Sequence, residues 1–94
     1  MRKTDKKIDN KLREVLTDVC DFALQEVAGY QWISHTVNYN SFPDSLVITC
    51  MFDNKQSADT EKQQGELLAL INEKLNAVAI SLKNPNKQIS FEAQ

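Results

Sequence analysis

The sequence predicts a small α+β domain whose elements follow the order α-β-β-α-β. Three observations support this prediction. Apolar residues recur at intervals of three and four in two long stretches, as in amphipathic helices. Between them, two short segments alternate apolar and polar residues around a turn that contains proline, and a third such segment follows the second helix. We therefore expect an antiparallel hairpin plus a short third strand, with two helices packed on one sheet face.

The first helix is predicted from Thr4 to Ala28. Thr4 can cap its start, and Gly29 can adopt the left-handed conformation that ends a helix. We expect residues 1–94 to form a single domain, with residues 1–4 as an arm that lacks fixed structure. The inner stripe of the helix is predicted to contain Ile8, Leu12, Val15, Leu16, Val19, Phe22, Ala23 and Val27.

The hairpin is predicted from two alternating segments on either side of a loop at residues 40–45. The only histidine of the chain, His35, falls on the apolar face of the first strand, beside a thiol of the second. Pairing the apolar faces predicts Tyr39 opposite Leu46, Val37 opposite Ile48, His35 opposite Cys50 and Ile33 opposite Phe52.

The second helix is predicted from Thr60 to Leu82, because Thr60 and Gln63 have the spacing of a capping box. Gly65 would lie in its second turn, where it permits a close helix contact or is tolerated. The third strand is predicted within residues 88–92, and the sequence leaves open which edge of the hairpin it joins. The inner stripe of this helix is predicted to contain Leu67, Leu68, Ile71, Leu75, Val78 and Leu82.

The outer sheet face is predicted to be more apolar than an ordinary solvated surface. It contains Trp32, Ser34, Thr36, Asn38, Val47, Thr49 and Met51, while Leu24, Leu70 and Ile80 lie off the inner stripes of their helices. Apolar surface beyond the needs of one core indicates a partner, and a second copy of the chain is the simplest one. The candidate interface residues are Trp32, Phe42, Pro43, Val47, Thr49, Met51, Leu70 and Ile80.

Charge is unevenly distributed along the chain, although its formal net value is only −2. Residues 1–13 carry six basic and two acidic side chains, and the remaining residues are acidic overall. This basic start is interpreted as a solvated helix end, as a phosphate-binding arm, or as a contact for the acidic part of a neighbouring copy. The candidate nucleic-acid contacts are Lys3, Lys6, Lys7, Lys11 and Arg13.

Little in the sequence indicates catalysis. His35 and Cys50 have residue types found in thiol enzymes, but both are predicted to face the core, and no glycine-rich turn can stabilise an oxyanion. Cys20 and Cys50 are expected to be reduced and buried, without a disulfide. No paired ligand spacing, phosphate loop or dinucleotide fingerprint occurs. We therefore expect a protein that is not an enzyme and uses no metal or cofactor.

The carboxylates are scattered along the predicted helix surfaces. Glu26 is the exception, since helical phase places it on the inner arc near the end of the first helix. No apolar run reaches the length of a membrane span and no signal-peptide core follows the basic start, so we expect no membrane association and a cytosolic location. The carboxylates predicted to be solvated are Glu14, Asp18, Asp21, Glu61, Glu66 and Glu73.

Two resemblances add expectations. The segment "WISHTVNYNSFPDSLVITCMFD" resembles a family of small uncharacterised gammaproteobacterial proteins, some of which are automatically labelled Fis-family transcriptional regulators. This resemblance implies a bacterial cytosolic protein and brings no established activity, catalytic residue or ligand. The order of elements is similar to that of type II KH domains and ribosome-binding factor A, which implies RNA association. The chain has no GxxG loop and ends in a strand-like segment where Fis has a basic helix-turn-helix, so no nucleic-acid contacts are transferred from either family.

Overall fold

The computed structural model describes residues 3–94, with side chains from residue 5 onward, and confirms the predicted α+β class. Lys3 and Thr4, predicted to belong to an arm, lie in the first helix, while residues 1–2 lie outside the described residues. The elements are α1 (Lys3–Glu26), β1 (Tyr30–Thr36), a 3₁₀ turn (Tyr39–Ser41), β2 (Val47–Phe52), α2 (Lys55–Gln64), α3 (Glu66–Ala77), the short α4 (Pro85–Gln88) and β3 (Ile89–Ala93).

The sheet has the order β1-β2-β3, with β1 and β2 antiparallel and β2 and β3 parallel. The helices between β2 and β3 form a crossover long enough to return the chain in the parallel direction. This arrangement places β2 in the centre of the sheet. Its inward residues Ile48, Cys50 and Phe52 are completely buried.

The predicted hairpin register is wrong by two residues. His35 lies opposite Ile48, and Ile33 lies opposite Cys50. A shift of two preserves which side chains face inward, whereas a shift of one would reverse them. The loop is longer than predicted because the Asn38 N–H donates to Ser45 Oγ at 2.8 Å, and that hydroxyl donates to the Asn38 carbonyl at 2.7 Å. These bonds close the turn early, so β1 ends at Thr36.

The second predicted helix is in fact two helices. Asn54 follows the end of β2 at Phe52 and caps α2, since its Oδ1 accepts a hydrogen bond from the Ser57 N–H at 2.8 Å. Thr60, the predicted cap, lies within α2 and donates to the Gln56 carbonyl. Gly65 has φ of 72° and its N–H donates to the Glu61 carbonyl, so it ends α2 rather than being tolerated inside a continuous helix.

Helix α3 ends at Ala77, short of the predicted Leu82. Ala79 adopts φ of 63°, and the Ile80 N–H donates to the Leu75 carbonyl at 2.9 Å. This is the hydrogen bond of a Schellman motif, in which the residue after the left-handed position packs back on the helix. Ile80 is therefore only 4% exposed and belongs to the core, contrary to its predicted position off the inner stripe.

The core lies between the inner sheet face and helices α1, α2 and α3. Phe22 is 44% exposed, so its predicted place on the inner stripe of α1 is wrong, because the buried arc of the helix is narrower than the sequence pattern. In the described part of the chain, none of the helices combines the length and apolar character that a membrane span needs. The largest completely buried side chains are Leu12, Val19, Leu46, Ile48, Cys50, Phe52, Leu67, Ile71 and Leu75.

Candidate interaction surface

The outer sheet face is open, because all helices that contact the core lie on the other side of the sheet. None of its members is buried, and Trp32 and Val47 are 44% and 38% exposed. The Ser90 hydroxyl lies 3.4 Å from Thr49 Oγ1, so β3 extends the face beyond the predicted hairpin. One charged residue, Glu92, lies at its border. The outer face consists of Trp32, Ser34, Thr36, Val47, Thr49, Met51, Ser90 and Glu92.

The predicted interface residues do not form one surface. Trp32, Val47, Thr49 and Met51 share the outer face, with Thr49 and Met51 half-buried. Ser90 and Glu92 were not predicted on this face, because their place there depends on which edge of the hairpin β3 joins. The alternation of Ile89 and Phe91 with Ser90 and Glu92 was the available signal.

The other predicted interface residues belong largely to the fold. Phe42 and Leu70 are half-buried and pack against the core cluster. Pro43 is half-buried, and its carbonyl accepts a hydrogen bond from Gln88 Nε2 at 2.8 Å. Asn38, predicted on the outer face, lies in the loop and caps the 3₁₀ turn through its side chain. The turn around Phe42 and Pro43 is therefore fixed to the body of the protein.

A groove runs between α1 and the free edge of β1. Its volume is about 480 Å³, and we call it the edge groove. Leu24, on the same helix, is 58% exposed, which agrees with its predicted position off the inner stripe. Sequence analysis missed the groove because it requires knowing that β1 is an edge strand. The lining residues are Arg13, Leu16, Thr17, Cys20, Asp21 and Ile33.

The loop between β1 and β2 is held from both sides. On one side, the Tyr39 hydroxyl donates to Asp9 Oδ1 at 2.7 Å, and Arg13 Nε donates to Asp9 Oδ2 at 2.8 Å. These two bonds, more than the Arg13 charge, hold the pKa of Asp9 below its usual range. Burial, with the bond to Asp9, raises the pKa of Tyr39 to about 12. The loop therefore joins α1 through a short polar network.

On its other side, the loop contacts the segment before β3. The buried Gln88 donates from Nε2 to the carbonyls of Pro43 and Leu46, and its Oε1 accepts from the Asn84 N–H. This brings the basic segment before β3 to the same end of the molecule as the start of α1. We call this the basic end, and its exposed side chains are Lys6, Lys7, Lys11, Arg13, Lys83 and Lys87.

Sequence analysis missed Lys83 and Lys87 as members of the basic end, since they are separated in sequence from α1. The predicted Lys6, Lys7, Lys11 and Arg13 are all exposed. The side chain of Lys3 lies outside the described ones. Asp44 lines the same shallow groove as Lys83 and Lys87, so the positive charge of this end is partly offset.

Cys50 and His35 do not lie opposite each other, contrary to the predicted register. Cys50 is completely buried, and burial raises the pKa of its thiol to about 12. His35 is half-buried opposite Ile48 and lies close enough to Asp9 to stabilise the charged carboxylate. Both cysteines are free, as predicted, although Cys20 is only half-buried. At neutral pH, Cys50 is a protonated core thiol.

Tyr30 is a buried aromatic residue at the start of β1. Its hydroxyl has no partner in hydrogen-bonding geometry among the described residues. Burial, together with the nearby Cys20 thiol, raises the pKa of Tyr30 well above its usual range. Its ring packs edge-on against Phe52. We assign it to the core.

Glu61 is not solvated, contrary to the prediction. It is 5% exposed, and its carboxylate lies in the wall of a groove of about 330 Å³ beside the end of α1. Glu26 and Glu66 line the same groove and are exposed. Across residues 5–94, no three His, Cys, Asp or Glu side chains are grouped so that they could hold a metal ion.

Comparison of the chain with protein-family models, with curated proteins and with solved structures gives no match.

Proposed function

We propose that this protein is a non-enzymatic interaction or regulatory module that acts as a homodimer in the bacterial cytosol. The observation that carries the proposal is apolar surface beyond what one core needs, because the chain has already buried a core between the sheet and its helices. Trp32 on β1 and Val47 on β2 remain exposed on the outer sheet face, and Leu24 remains exposed on α1. Such surface is typical of protein contacts.

The size of the chain also supports self-association. A domain of 94 residues buries a smaller fraction of its surface than a larger one and gains modest stability from its core. A second copy supplies additional buried area without any other gene product, and twofold symmetry lets one patch serve both subunits.

The non-enzymatic part of the proposal is supported by the state of the thiols. A nucleophilic cysteine needs access and a thiolate, whereas Cys50 is completely buried with a pKa of about 12. His35, the only histidine of the chain, lies opposite Ile48 and not opposite Cys50.

Sedimentation equilibrium at micromolar concentrations tests the homodimer. We expect a concentration-dependent dimer, together with reduced quenching of Trp32 fluorescence by acrylamide as the dimer forms. Because Trp32 is the only tryptophan, the signal has a single source. A monomer at all concentrations, with Trp32 fully accessible to the quencher, would remove the basis of the proposal.

Nucleic-acid binding is a second candidate function, favoured by the basic end. The contacts of Asp9 with Tyr39 and of Gln88 with Pro43 bring two basic segments, distant in sequence, to opposite sides of one loop. Clustered lysines of this kind contact phosphates without reading sequence.

A salt titration with single-stranded and duplex oligonucleotides tests this candidate. We expect affinity to fall steeply with salt, and the double substitution Lys83→Glu with Lys87→Glu to weaken binding to both forms. The matched control is the double substitution Lys55→Glu with Lys62→Glu, two exposed lysines of α2 outside the basic end. Absence of binding at low salt, or equal effects of the two sets of substitutions, would end this candidate.

A further inference from the structure

We infer that the second copy docks on the free edge of β1, so that the two sheets join antiparallel into one continuous six-stranded sheet with the two α1 helices side by side. This inference rests on the proposed homodimer and specifies where its subunits meet. The partner is therefore a second copy of this chain, seated in the edge groove.

The edge of β1 lacks the charged and proline residues that commonly protect an exposed strand. Its seven residues, Tyr30–Thr36, include no Lys, Arg, Asp, Glu or Pro. Natural edge strands commonly carry such residues to prevent pairing with other chains. The opposite edge, β3, has five residues, includes Glu92 and borders a groove lined by Lys62. Of the two edges, β1 is thus the longer and the one without charge.

The symmetry of β1 fixes the register of this pairing. In an antiparallel twofold pair, opposite residues share a sheet face only when their numbers have the same parity. Centring the twofold axis on Ile33 uses the whole strand, with Ile33 opposite Ile33 and Trp32 opposite Ser34 of the second copy. The bulge between Tyr30 and Trp32 falls at the periphery, so the central pairs keep regular geometry.

The edge groove is complementary to itself in charge. Arg13 and Asp21 lie four residues before and four residues after Thr17, so all three share one side of α1. An antiparallel crossing of two α1 helices at Thr17 places each Arg13 beside the Asp21 of the other copy. Arg13 remains available, since its side chain is 69% exposed and its bond to Asp9 uses Nε.

The middle of the groove is apolar where the copies would meet. Leu16 is buried, and Ile33 and Cys20 are half-buried, so a second copy would complete the covering of Ile33 and Cys20. The groove therefore has Arg13 at one end, apolar residues in the middle and Asp21 at the other end. A twofold interface requires this kind of pattern, because each end meets the opposite end of the second copy.

Edge pairing also avoids a cost of packing two outer faces together. Such a face-to-face dimer would bury Glu92 at its border and several hydroxyls without new partners. Edge pairing instead supplies backbone hydrogen bonds and leaves these polar groups in water. The four hydroxyl residues concerned are Ser34, Thr36, Thr49 and Ser90.

Disulfide cross-linking under mild oxidation distinguishes the two arrangements. In a background with both Cys20→Ala and Cys50→Ala, which removes the thiol opposite Ile33 in the same sheet, we expect Ile33→Cys to give a covalent dimer, because cross-strand neighbours at the twofold axis lie about 4.5–5.5 Å apart. Thr49→Cys, at the centre of the outer face, should give little. Efficient cross-linking of Thr49→Cys but not Ile33→Cys would overturn the edge arrangement and leave the homodimer standing. If the unmodified protein is a monomer by sedimentation, both proposals fail.

Charge reversal tests the groove with exposed residues. Because Arg13 also bonds Asp9, circular dichroism is used to check that the variant carrying Arg13→Glu still folds. We expect Asp21→Arg to weaken dimerisation at least tenfold, and the combination Arg13→Glu with Asp21→Arg to restore it, since the pairs then re-form with exchanged signs. The matched control is Asp18→Arg, an exposed carboxylate of α1 outside the groove. Equal effects of Asp21→Arg and Asp18→Arg, or failure of the combination to restore the dimer, would overturn the edge contact.

Discussion

The Glu61 carboxylate accepts a hydrogen bond from the backbone N–H of Leu67, with 2.7 Å between Oε1 and the nitrogen. Glu61 lies in α2 and Leu67 in the first turn of α3, so the side chain caps the start of the helix that follows its own. Gly65 supplies the left-handed residue between the two, but it has no side chain for capping. The break at Gly65 and the burial of Glu61 thus form one structural unit.

Replacing Glu61 should therefore destabilise the protein although it is a charged residue. We expect Glu61→Ala to lower the free energy of unfolding by about 1–2 kcal/mol, the range for loss of a helix cap. Urea denaturation at neutral pH measures this. Glu66→Ala is the control, because Glu66 is exposed at the start of α3 and makes no cap bond to Leu67. Equal losses for the two variants would contradict the capping role.

The two glycines differ in what surrounds them. A Cβ at Gly29 would lie 2.5 Å from Ser57 Oγ, whereas one at Gly65 would meet nothing within 4 Å. Both have positive φ, so alanine costs about 1 kcal/mol at either position. We expect Gly29→Ala to cost at least about twice as much as Gly65→Ala, because overpacking adds to the backbone strain. Thermal or urea unfolding of both variants decides the order, and a larger effect at Gly65 would contradict it.

Gln88 is the polar link between the hairpin loop and the segment before β3. Its Nε2 lies 2.8 Å from the Pro43 carbonyl and 3.0 Å from that of Leu46. At neutral pH, Gln88→Glu would place a carboxylate against these oxygens, and we expect a loss of about 3 kcal/mol. Protonation of the new carboxyl at acid pH should recover part of the loss. Gln63→Glu, at an exposed position of α2, serves as the control and should change stability little at any pH.

The bond between Tyr39 and Asp9 should make stability depend on pH. The folded protein holds the pKa of Asp9 below its ordinary value, so the stabilisation is complete above about pH 4 and is lost as the pH falls through the folded pKa. We expect Tyr39→Phe to cost about 1 kcal/mol at pH 7. The difference from the unmodified protein should shrink below about pH 4. A difference that stays constant down to about pH 2 would show that the bond does not favour the charged carboxylate.

The two thiols should react at different rates. Cys50 is completely buried with a raised pKa, while Cys20 is half-buried in the edge groove. At protein concentrations low enough to keep the chain monomeric, we expect a thiol reagent at neutral pH to modify Cys20 readily and Cys50 only on unfolding. The variants Cys20→Ala and Cys50→Ala assign the two phases. Rapid alkylation of Cys50 in the folded protein would contradict its place in the core and would revive a thiol-based activity.

Local sequence patterns predicted where helices and strands occur better than they predicted the residues at which these elements end. The alternation in β2 correctly identified Ile48, Cys50 and Phe52 as inward residues, because parity does not depend on the exact register. The end of α3 was missed, since Ala79 takes a left-handed conformation that an apolar pattern does not reveal. Glycine would have signalled that turn, but alanine gives no such signal. Ile80 was therefore assigned to the surface instead of the core.

The candidate surface was predictable in part. Trp32, Val47, Thr49 and Met51 followed from strand alternation, and they share the outer face. Ser90 joins them only because β3 pairs with β2. The edge groove exists because β1 pairs with β2 alone and is an edge strand. The residues of one strand do not specify how many neighbouring strands it has.

The sequence by itself determined the α+β class, the inward side chains of β2 and β3 and the basic character of the start of α1. These depend on local periodicity and composition, which neighbouring residues specify. Tertiary structure alone decided the parallel pairing of β3, the capping of α3 by Glu61 and the attachment of Gln88 to the loop between β1 and β2. Each of these features depends on contacts between segments that are distant in sequence. Local patterns allow several such arrangements, and the burial and hydrogen bonding of the whole chain select one of them.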